Sequence, residues 1–488
     1  MTGSYAELAR ALLPEAGLMA GALLILGIDL AWLRMRSSAL RLRVAAGIAA
    51  MAVLAAMVAV WLGAGAGPVA GGALVLDSLA VAARLGVLGL TLFTLGVATG
   101  APAPRHPAEY VAIMLFATAG FTLMGAAHQL LIAFLALELA SLSLYVLAGF
   151  DKTCPESAEA ALKYFLVGGM SSAFLLFGFS LIYGATGSIE LPEIAAVLGR
   201  QASSPLLEVA LVMILVSFGF KVAAVPFHLW APDAYAGAPT ASAALIASGS
   251  KLAGFVLFAR LLWPALGRVV GVAAAPRGGR DWLLAVVLMA GASLLLGNVA
   301  ALVQRNLRRL LAYSAIAHAG ALLLGVLALG GSGPAPLFYY AATYGLAALG
   351  VFGVIAGVER VGGCARIEDL AGLHRRSPLL AACLLIFVLS LAGIPPLAGF
   401  FGKLSVFMAA LQLDGLAGPV GWLAVLAILL SVVALYYYLI VLKQALVAAP
   451  APRTPRIAVP LPAALALAGA AALLVLLGVF PSLVLGRF

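Results

Sequence analysis

The chain has 488 residues, of which 65% are hydrophobic and only 9% charged, and its mean hydropathy is +1.16. Soluble domains carry about 25% charged residues, so this composition excludes a soluble protein. The formal net charge of +10 comes largely from arginines in short clusters between apolar runs, a distribution that indicates membrane topology rather than nucleic-acid binding.

Fourteen apolar runs predict an all-α polytopic membrane protein. Each run approaches or exceeds the ~20 residues that a helix needs to cross the hydrocarbon, and none alternates in polarity as a barrel strand does. In chain order the runs cover 15–34, 44–63, 78–98, 107–125, 129–149, 159–184, 206–236, 239–263, 282–303, 308–329, 335–357, 379–411, 420–447 and 458–481.

The distribution of basic residues predicts the orientation of the chain. Four arginines follow the first run between residues 34 and 43, and most other loop lysines and arginines fall in odd-numbered connections. Positively charged loops face the cytoplasm, so we expect both termini on the outer side of the membrane. One outer connection departs from this pattern because it carries Arg268, Arg277 and Arg280.

Four of the six lysines lie inside apolar runs. A lysine at the bilayer centre costs ~2.5–3.5 kcal/mol on insertion scales, so this surplus indicates a function. The structural alternative is that a lysine near a helix end extends its ammonium to the interface, and it applies best to the first of the four. The residues are Lys163, Lys221, Lys251 and Lys403.

Acidic residues and histidines accompany these lysines. Glu138 lies near the middle of the fifth run, where a carboxylate is either protonated or paired with a cation. Lys163 on the next helix is a candidate partner, and a purely structural ion pair is the alternative. His228 and His318 titrate near pH 6.5, although a histidine inside a helix is equally typical of hydrogen-bonded packing. Together these groups predict a proton path.

Other polar residues in the runs indicate no chemistry by themselves. Asp29 and Asp77 lie near run ends, where we expect interfacial positions, whereas Arg84 and Arg260 fall inside runs without an evident partner. The three cysteines form no CxxC pair and predict neither a disulfide nor a metal site. A phosphate-binding loop needs a βαβ unit, which the apolar runs do not provide.

Prolines interrupt two of the runs. Pro226 breaks run seven, and Pro395 with Pro396 breaks run twelve. A proline inside a helix removes a backbone hydrogen bond, and in transporters broken helices at corresponding positions of two repeats line an ion site. Lys221 precedes the first break and Lys403 follows the second, the order expected of an inverted-topology pair.

Seven segments carry a family resemblance: LELASLSLYVL (137–147), ALKYFLVGGMSSAFLLFG (161–178), VPFHLWAPDAYAGAP (225–239), ASGSKLAGF (247–255), NLRRLLAYSAIAHAG (306–320), LSLAGIPPLAGFFGKLSVF (389–407) and ALYYYL (434–439). They resemble the antiporter-like membrane subunits of proton-pumping NADH:quinone oxidoreductase (respiratory complex I). The N type is favoured because Lys403 stands where the M type usually has a glutamate. The chain also ends after run fourteen, without the lateral helix of the L type.

The resemblance implies a domain organisation and roles for the ionisable residues. An N-terminal three-helix segment (1–106) would precede two inverted five-helix repeats (107–264 and 281–447) and a C-terminal helix (458–488). The implied proton relay pairs Glu138 with Lys221, modulated by Lys163 and His228, links to the centre through Lys251, includes His318, and ends at Lys403. The family pattern Ser-Ser-x-Ser-His-Leu-Gly-Tyr reads SAIAHAGA here, which keeps the histidine but loses two hydroxyls and the tyrosine.

The resulting prediction is a proton-translocating membrane-arm subunit, part of an enzyme but without redox chemistry of its own. Quinone reduction elsewhere in the complex would drive it, and NADH, FMN, Fe–S clusters and quinone are expected on other parts of the complex rather than on this chain. The implied partners are neighbouring antiporter-like and small membrane subunits and lipids, with no nucleic acid. An Mrp-type cation/proton antiporter subunit is the alternative. A quinone-binding subunit would need a headgroup pocket, which no sequence feature indicates.

Overall fold

The computed structural model describes residues 2–64, 67–69, 71–200, 204–262, 280–362, 366–449 and 455–487, with only the backbone described for residues 2–6 and 280–282. Arg268 and Arg277 lie outside these ranges, as does the side chain of Arg280. The predicted exception to the charge pattern therefore falls outside the described residues.

Helices make up nearly all of the described chain, and twelve of them are long and apolar enough to cross a membrane. The other two predicted runs are the broken ones, so all fourteen runs correspond to helices. Numbered by run, they are α1 (Leu13–Leu33), α2 (Ser38–Leu62), α3 (Ser78–Gly100), α4 (Pro107–Ala126), α5 (Leu130–Ala148), α6 (Pro155–Thr186), α7a (Pro205–Lys221), α7b (Trp230–Gly237), α8 (Thr240–Arg260), α9 (Arg280–Leu302), α10 (Leu307–Leu327), α11 (Ala335–Glu359), α12a (Pro378–Ala392), α12b (Ala398–Asp414), α13 (Pro419–Leu446) and α14 (Leu461–Val479).

The remaining elements are short. Strands β1 (Gly67–Val69) and β2 (Leu74–Leu76) form an antiparallel pair between α2 and α3. Short helices cover Thr2–Ala11, Leu191–Leu198, Leu329–Ser332, Leu373–Arg376 and Ser482–Leu485, with a 3-10 turn at Ile367–Leu370 and a π-helical end of α1 at Asp29–Leu33. The predicted all-α polytopic fold is confirmed.

The two broken helices end their first halves in the same way. Ala223 N–H donates to the carbonyl of Phe220, and the next amide, of Ala224, donates to Gly219. At the second break Gly393 donates to Ser390 and Ile394 to Leu389. Each pattern is a Schellman motif, in which the residue after the helix C-cap adopts positive φ, and φ is 57° at Ala223 and 86° at Gly393.

A third interruption was not predicted from the sequence. At Ser248 the backbone of α8 has φ −109° and ψ −75°, so the helix is divided into Thr240–Ala247 and Gly249–Arg260. The segment ASGSK (247–251) contains no proline. The sequence therefore gives no clear signal that the helix is interrupted here. The consequence of the interruption is local: Lys251 lies in the first turn of the second half of α8, three residues after Ser248.

Three helices form the centre of the bundle. The membrane-crossing window of α8 is wholly buried, and those of α10 and α11 are almost wholly buried. Peripheral helices such as α1, α2 and α13 bury only about one third of theirs and expose large apolar side chains, as lipid-facing helices do. The centre therefore offers an interior shielded from lipid.

Glycines allow α4 to pack closely against α5 and α9 to pack closely against α10. A Cβ at Gly120 of α4 would lie 2.5 Å from the backbone nitrogen of Ala140 on α5. A Cβ at Gly297 of α9 would lie 2.5 Å from the backbone nitrogen of Ala317 on α10. Small residues at such contacts are the usual basis of close helix packing in membranes.

Ion pairs account for the four polar residues that had no assigned chemistry. The carboxylates and guanidiniums are in direct contact, and the arginines inside α3 and α8 are both buried. Asp29 is also buried in the protein. The pairs are Arg84–Glu15 at 2.6 Å, Arg260–Asp77 at 2.5 Å and Arg41–Asp29 at 2.5 Å.

Candidate functional site

Lys221 is the last residue of α7a and lies at the first helix break. Its side chain is buried, and its Nζ donates to the hydroxyl of Ser141 on α5 at 2.7 Å. The Ser141 hydroxyl in turn donates to the carbonyl of Leu137 at 2.6 Å. The ammonium is thus held by a hydroxyl that is itself hydrogen-bonded, one helical turn from Glu138.

Glu138 is half-buried on α5 and accepts a hydrogen bond from the Ser172 hydroxyl. The expected pairing with Lys163 is wrong, because Lys163 binds Asp233 at 2.7 Å and Glu159 at 2.6 Å. Within the described part of the chain no ion pair reaches Glu138. Since Ser141 follows Glu138 by three residues on one face of α5, Lys221 is still its near neighbour.

Lys163 therefore does not belong to the buried group. Its side chain is 44% exposed, and its two carboxylate partners lie near the same end of the bundle. This matches the alternative that a lysine near a helix end reaches the interface.

Lys251 occupies the centre of the bundle. It is buried on α8, and its Nζ donates to the backbone carbonyl of Ala315 on α10. The ammonium also lies 5.1 Å from the ring centroid of Tyr344 on α11, within the range of a cation–π contact. A Cβ at Gly254 would lie 3.5 Å from Lys221 Cγ, so the Lys221 side chain packs against α8 one turn from Lys251.

His318 lies on α10 one turn after the carbonyl that Lys251 binds. Its Nδ1 is hydrogen-bonded to the hydroxyl of Tyr340 at 2.6 Å and its Nε2 to that of Tyr438 at 3.2 Å. Tyr438 is also bonded to Ser314. Tyrosines of α11 and α13 thus provide partners where the sequence had lost the hydroxyls of the family pattern. Sequence reasoning missed them, although the tyrosine clusters at 339–344 and 436–438 were the available signal.

Lys403 lies on α12b and points back into the second break. It is buried, and its Nζ donates to the carbonyl of Ala392 at 2.9 Å. A Cβ at Gly393 would lie 3.0 Å from Lys403 Cδ, so the lysine stem packs on the break itself. Lys403 shares with His318 and Tyr340 a cavity of about 20 Å³, room for about one water molecule.

Neighbouring hydroxyls satisfy backbone amides around both breaks. Pro226 removes a donor in the first, and the adjacent Val225 N–H donates to the hydroxyl of Ser293 on α9 at 2.9 Å. Pro395 and Pro396 lie in the second, where Gly399 N–H at the start of α12b donates to the Ser390 hydroxyl at 3.2 Å. This is how broken helices are tolerated in lipid.

His228 lies in the first break, apart from the lysine row. Its side chain is buried, and in the described part of the chain its Nδ1 has no hydrogen-bond partner. It lines a cavity of about 330 Å³ together with Lys163, Asp233, Arg309 and Tyr313. The structure thus brings His228 beside Lys163 rather than beside Lys251.

A larger cavity of about 840 Å³ opens at one end of the bundle. Residues from the connections after α3, α5, α7b and α9 line it, so these odd-numbered connections lie together, as alternating crossings require. At its edge Arg308 binds Glu359 and Thr240. In the described residues no group of three or more His, Cys, Asp or Glu side chains is placed to hold a metal ion.

A family model described as NADH:quinone oxidoreductase/Mrp antiporter, TM, matches residues 127–433, more than half of the chain. NADH-quinone oxidoreductase subunit N 2 of Acidobacterium capsulatum is 47% identical to this chain, over 99% of it and 98% of the relative. NADH-quinone oxidoreductase subunit N of Nitrosomonas europaea is 42% identical, over 78% of this chain and 76% of the relative.

Solved structures agree with these relatives. A chain of respiratory complex I from Thermus thermophilus with bound aureothin is 34% identical over 97% of this chain and 98% of its own, with a TM-score of 0.79. A chain of the Mrp complex from Dietzia sp. DQ12-45-1b has the same TM-score at 23% identity, over 99% and 96%, a likeness of fold alone. The chain therefore belongs to the NADH:quinone oxidoreductase/Mrp antiporter family, among the subunit N proteins of NADH-quinone oxidoreductase.

Proposed function

We propose that this chain is a proton-translocating membrane-arm subunit of an NADH:quinone oxidoreductase. One observation carries the proposal: Lys221, Lys251, His318 and Lys403 form a continuous buried row. Lys221 packs on α8 one turn from Lys251, Lys251 binds α10 one turn from His318, and His318 shares a cavity with Lys403. Four neighbouring buried ionisable groups are costly in a membrane, which favours a function for them.

The row works by electrostatic exclusion between neighbours. Two ammonium groups in a low-dielectric interior repel each other far more strongly than in water, so a proton gained at one member favours proton loss from the next. Glu138 lies at one end, where a change in its distance from Lys221 would shift the charge of that lysine. Quinone reduction elsewhere in the complex supplies the energy, and the chain itself supplies positions for protons.

We propose that residues 107–264 and 281–447 are inverted repeats, between a three-helix segment at 1–106 and a helix at 458–488. The matching Schellman motifs of α7a and α12a support this assignment, as do the matching glycine contacts of α4 with α5 and of α9 with α10. The two broken helices, α7 and α12, cross the bundle in opposite directions because they are an odd number of crossings apart.

We assign the chain to a bacterial inner membrane with both termini on the periplasmic side. The support is the excess of lysine and arginine in the odd-numbered connections. Other membrane-arm subunits and lipids would contact the apolar perimeter, where Glu138 is half-buried. NADH, FMN, Fe–S clusters and quinone are assigned to other parts of the complex. The Mrp-type alternative is less supported, since the Mrp chain is 23% identical and the complex I chain 34%.

Proton uptake by inverted membrane vesicles tests the proposal. The assembled complex carrying Lys221→Ala or Lys403→Ala should translocate fewer protons per NADH oxidised than the unaltered complex. Lys443→Ala is the matched control, because Lys443 is exposed near the end of α13. Unchanged proton uptake per NADH in both variants of the buried row would overturn the proposal.

A further inference from the structure

Asp233 occupies in the first broken helix the position that Lys403 occupies in the second. The two Schellman motifs align residues 219–224 with 389–394, and Pro226 then aligns with Pro396. Seven residues after each proline the aligned positions hold Asp233 and Lys403. The second half-helix of each pair therefore presents one charged side chain at the same register, with opposite sign.

The Asp233 carboxylate joins helices from both predicted repeats. Its Oδ2 accepts a hydrogen bond from Lys163 on α6 at 2.7 Å. Its Oδ1 accepts one from Arg309 on α10 at 3.4 Å. One carboxylate thus bridges two cations that lie on different halves of the molecule.

Arg308, next to Arg309 on α10, binds the C-terminal end of α7b. Arg308 Nη1 donates to the carbonyl of Ala236 at 3.1 Å and to that of Ala238 at 3.0 Å. These carbonyls end the helix, where unpaired acceptors and the helix dipole favour a cation. The eight-residue helix α7b is therefore attached to α10 at its acidic side chain and at its C-terminus.

The same half-helix is attached to α7a across the break. Trp230 Nε1 donates to the carbonyl of Phe220 at 3.0 Å, directly before Lys221. On the other side, α10 carries His318 nine residues after Arg309, roughly 13 Å along the helix. Helix α7b therefore connects the surroundings of Lys221 with the helix that carries His318, by a route separate from Lys251.

The exposure of these ion pairs decides how they act. The side chains of Lys163 and Arg309 are each 44% exposed and that of Asp233 27%. Ion pairs this accessible contribute little to folding stability. Their structural effect is to hold α7b against α6 through Lys163 and against α10 through Arg309.

We propose that Asp233 is a positioning residue that couples the protonation of Lys221 in the first repeat to that of His318 in the second, through α7b. This inference rests on the proposed function, because it concerns the same proton row. Loss of the bridge leaves α7b attached to α10 only at its C-terminus, through Arg308. Proton transfers in the two halves then lose their coordination while quinone reduction continues.

Three substitutions in the assembled complex separate the bridge from ordinary charge effects. Asp233→Asn removes the negative charge on which both ion pairs depend, and Arg309→Gln removes only the ion pair to α10. Glu159→Gln is the matched control, because Glu159 also binds Lys163, at 2.6 Å, but lies on the same helix and is 60% exposed. Protons translocated per NADH oxidised and the pH profile of turnover are measured in inverted vesicles.

We expect a loss of protons per NADH in Asp233→Asn and Arg309→Gln, with a shifted pH profile, and neither change in Glu159→Gln. Asp233→Glu keeps the charge and should recover part of the loss. If Asp233→Asn does not assemble, Arg309→Gln decides. Equal proton ratios in Arg309→Gln and Glu159→Gln would overturn the inference. If Lys221→Ala lowers the number of protons translocated per NADH and Arg309→Gln does not, the inference is rejected and the proposed function stands. If neither Lys221→Ala nor Lys403→Ala changes that number, the proposed function is rejected.

Discussion

Lys403 Nζ donates a hydrogen bond to the carbonyl oxygen of Ala392, 2.9 Å away, across the break of α12. Ala392 ends the first half-helix, so its carbonyl is one of the acceptors that a helix leaves unpaired at its C-terminus. The negative end of the helix dipole lies at the same place. The break thus holds a cation with a backbone carbonyl, and among the residues that the structure describes no carboxylate forms an ion pair with Lys403.

Reversing the charge of Lys403 should therefore abolish its role. Lys403→Glu would place a carboxylate against carbonyl oxygens, where like partial charges repel, and would reverse the sign that His318 and Lys251 experience. We expect proton uptake per NADH to fall strongly in vesicles, while Lys403→Arg retains part of it. A fully active Lys403→Glu complex would show that Lys403 is only structural.

Removing either Lys221 or Glu138 should impair pumping more than assembly. Lys221→Ala leaves Ser141 with its own acceptor, the carbonyl of Leu137, and Glu138→Ala frees only the Ser172 hydroxyl. Neither change breaks a direct ion pair of the described residues, so the complex should assemble, as blue native electrophoresis can measure. Proton-coupled turnover should drop because the row loses a titrating member. Normal activity and pumping in both variants would contradict the assignment.

The tyrosines around His318 should matter in proportion to the hydrogen bonds they make. Tyr340→Phe removes one partner of the ring and the Tyr340→Phe/Tyr438→Phe pair removes both, leaving a buried imidazole unsatisfied at a cost of about 1–3 kcal/mol. The double variant should lower both the thermal stability of the complex and its proton ratio. Tyr436→Phe is the control, since Tyr436 is 61% exposed. Equal stability of the double variant and the control would refute the contacts.

The Arg260–Asp77 pair predicts a pH-dependent contribution to stability. Burial alone would raise the pKa of Asp77, but the hydrogen bonds and charge of Arg260 outweigh it and lower the pKa below its ordinary value. A carboxyl with a lowered folded-state pKa stabilises the protein above its unfolded pKa and loses that effect as the pH falls through the folded value. Asp77→Asn retains the oxygen that caps α3 through Ala80 but removes the charge.

We expect Asp77→Asn to cost about 1–2 kcal/mol at neutral pH, below the ~3–5 kcal/mol of a fully buried pair, because the Asp77 side chain is 44% exposed. Thermal unfolding of the detergent-solubilised complex should show a constant difference from the unaltered protein above about pH 5 and a shrinking one below about pH 4. A difference that grows on acidification would contradict the pairing.

Two glycines, one on α4 and one on α6, should respond oppositely to alanine. A Cβ at Gly120 would meet the Ala140 backbone nitrogen at 2.5 Å, so Gly120→Ala must separate α4 from α5 at a cost of about 1–3 kcal/mol. A Cβ at Gly169 of α6 meets nothing within 4 Å, and Gly169→Ala should be neutral or stabilising by up to about 1 kcal/mol. Equal melting temperatures for the two variants would refute the close helix contact.

The helices and both proline breaks could be predicted because hydropathy and proline chemistry act locally. The partner of Lys163 could not, because Asp233 lies seventy residues away and only the packing of α7b against α6 brings it near. The interruption at Ser248 has no proline to mark it. The tyrosine partners of His318 come from α11 and α13, and periodicity does not show which residues of separate helices meet.

The complete burial of α8 has a consequence for the biogenesis of the protein. A segment that carries Lys251 and Arg260 and has no lipid-facing side cannot rest stably in the bilayer until α10 and α11 surround it. During synthesis α8 enters the membrane before α10 and α11, so its charged side chains are not yet covered by those helices. A chain truncated after α8 would present a lysine to acyl chains and become a target for membrane proteases.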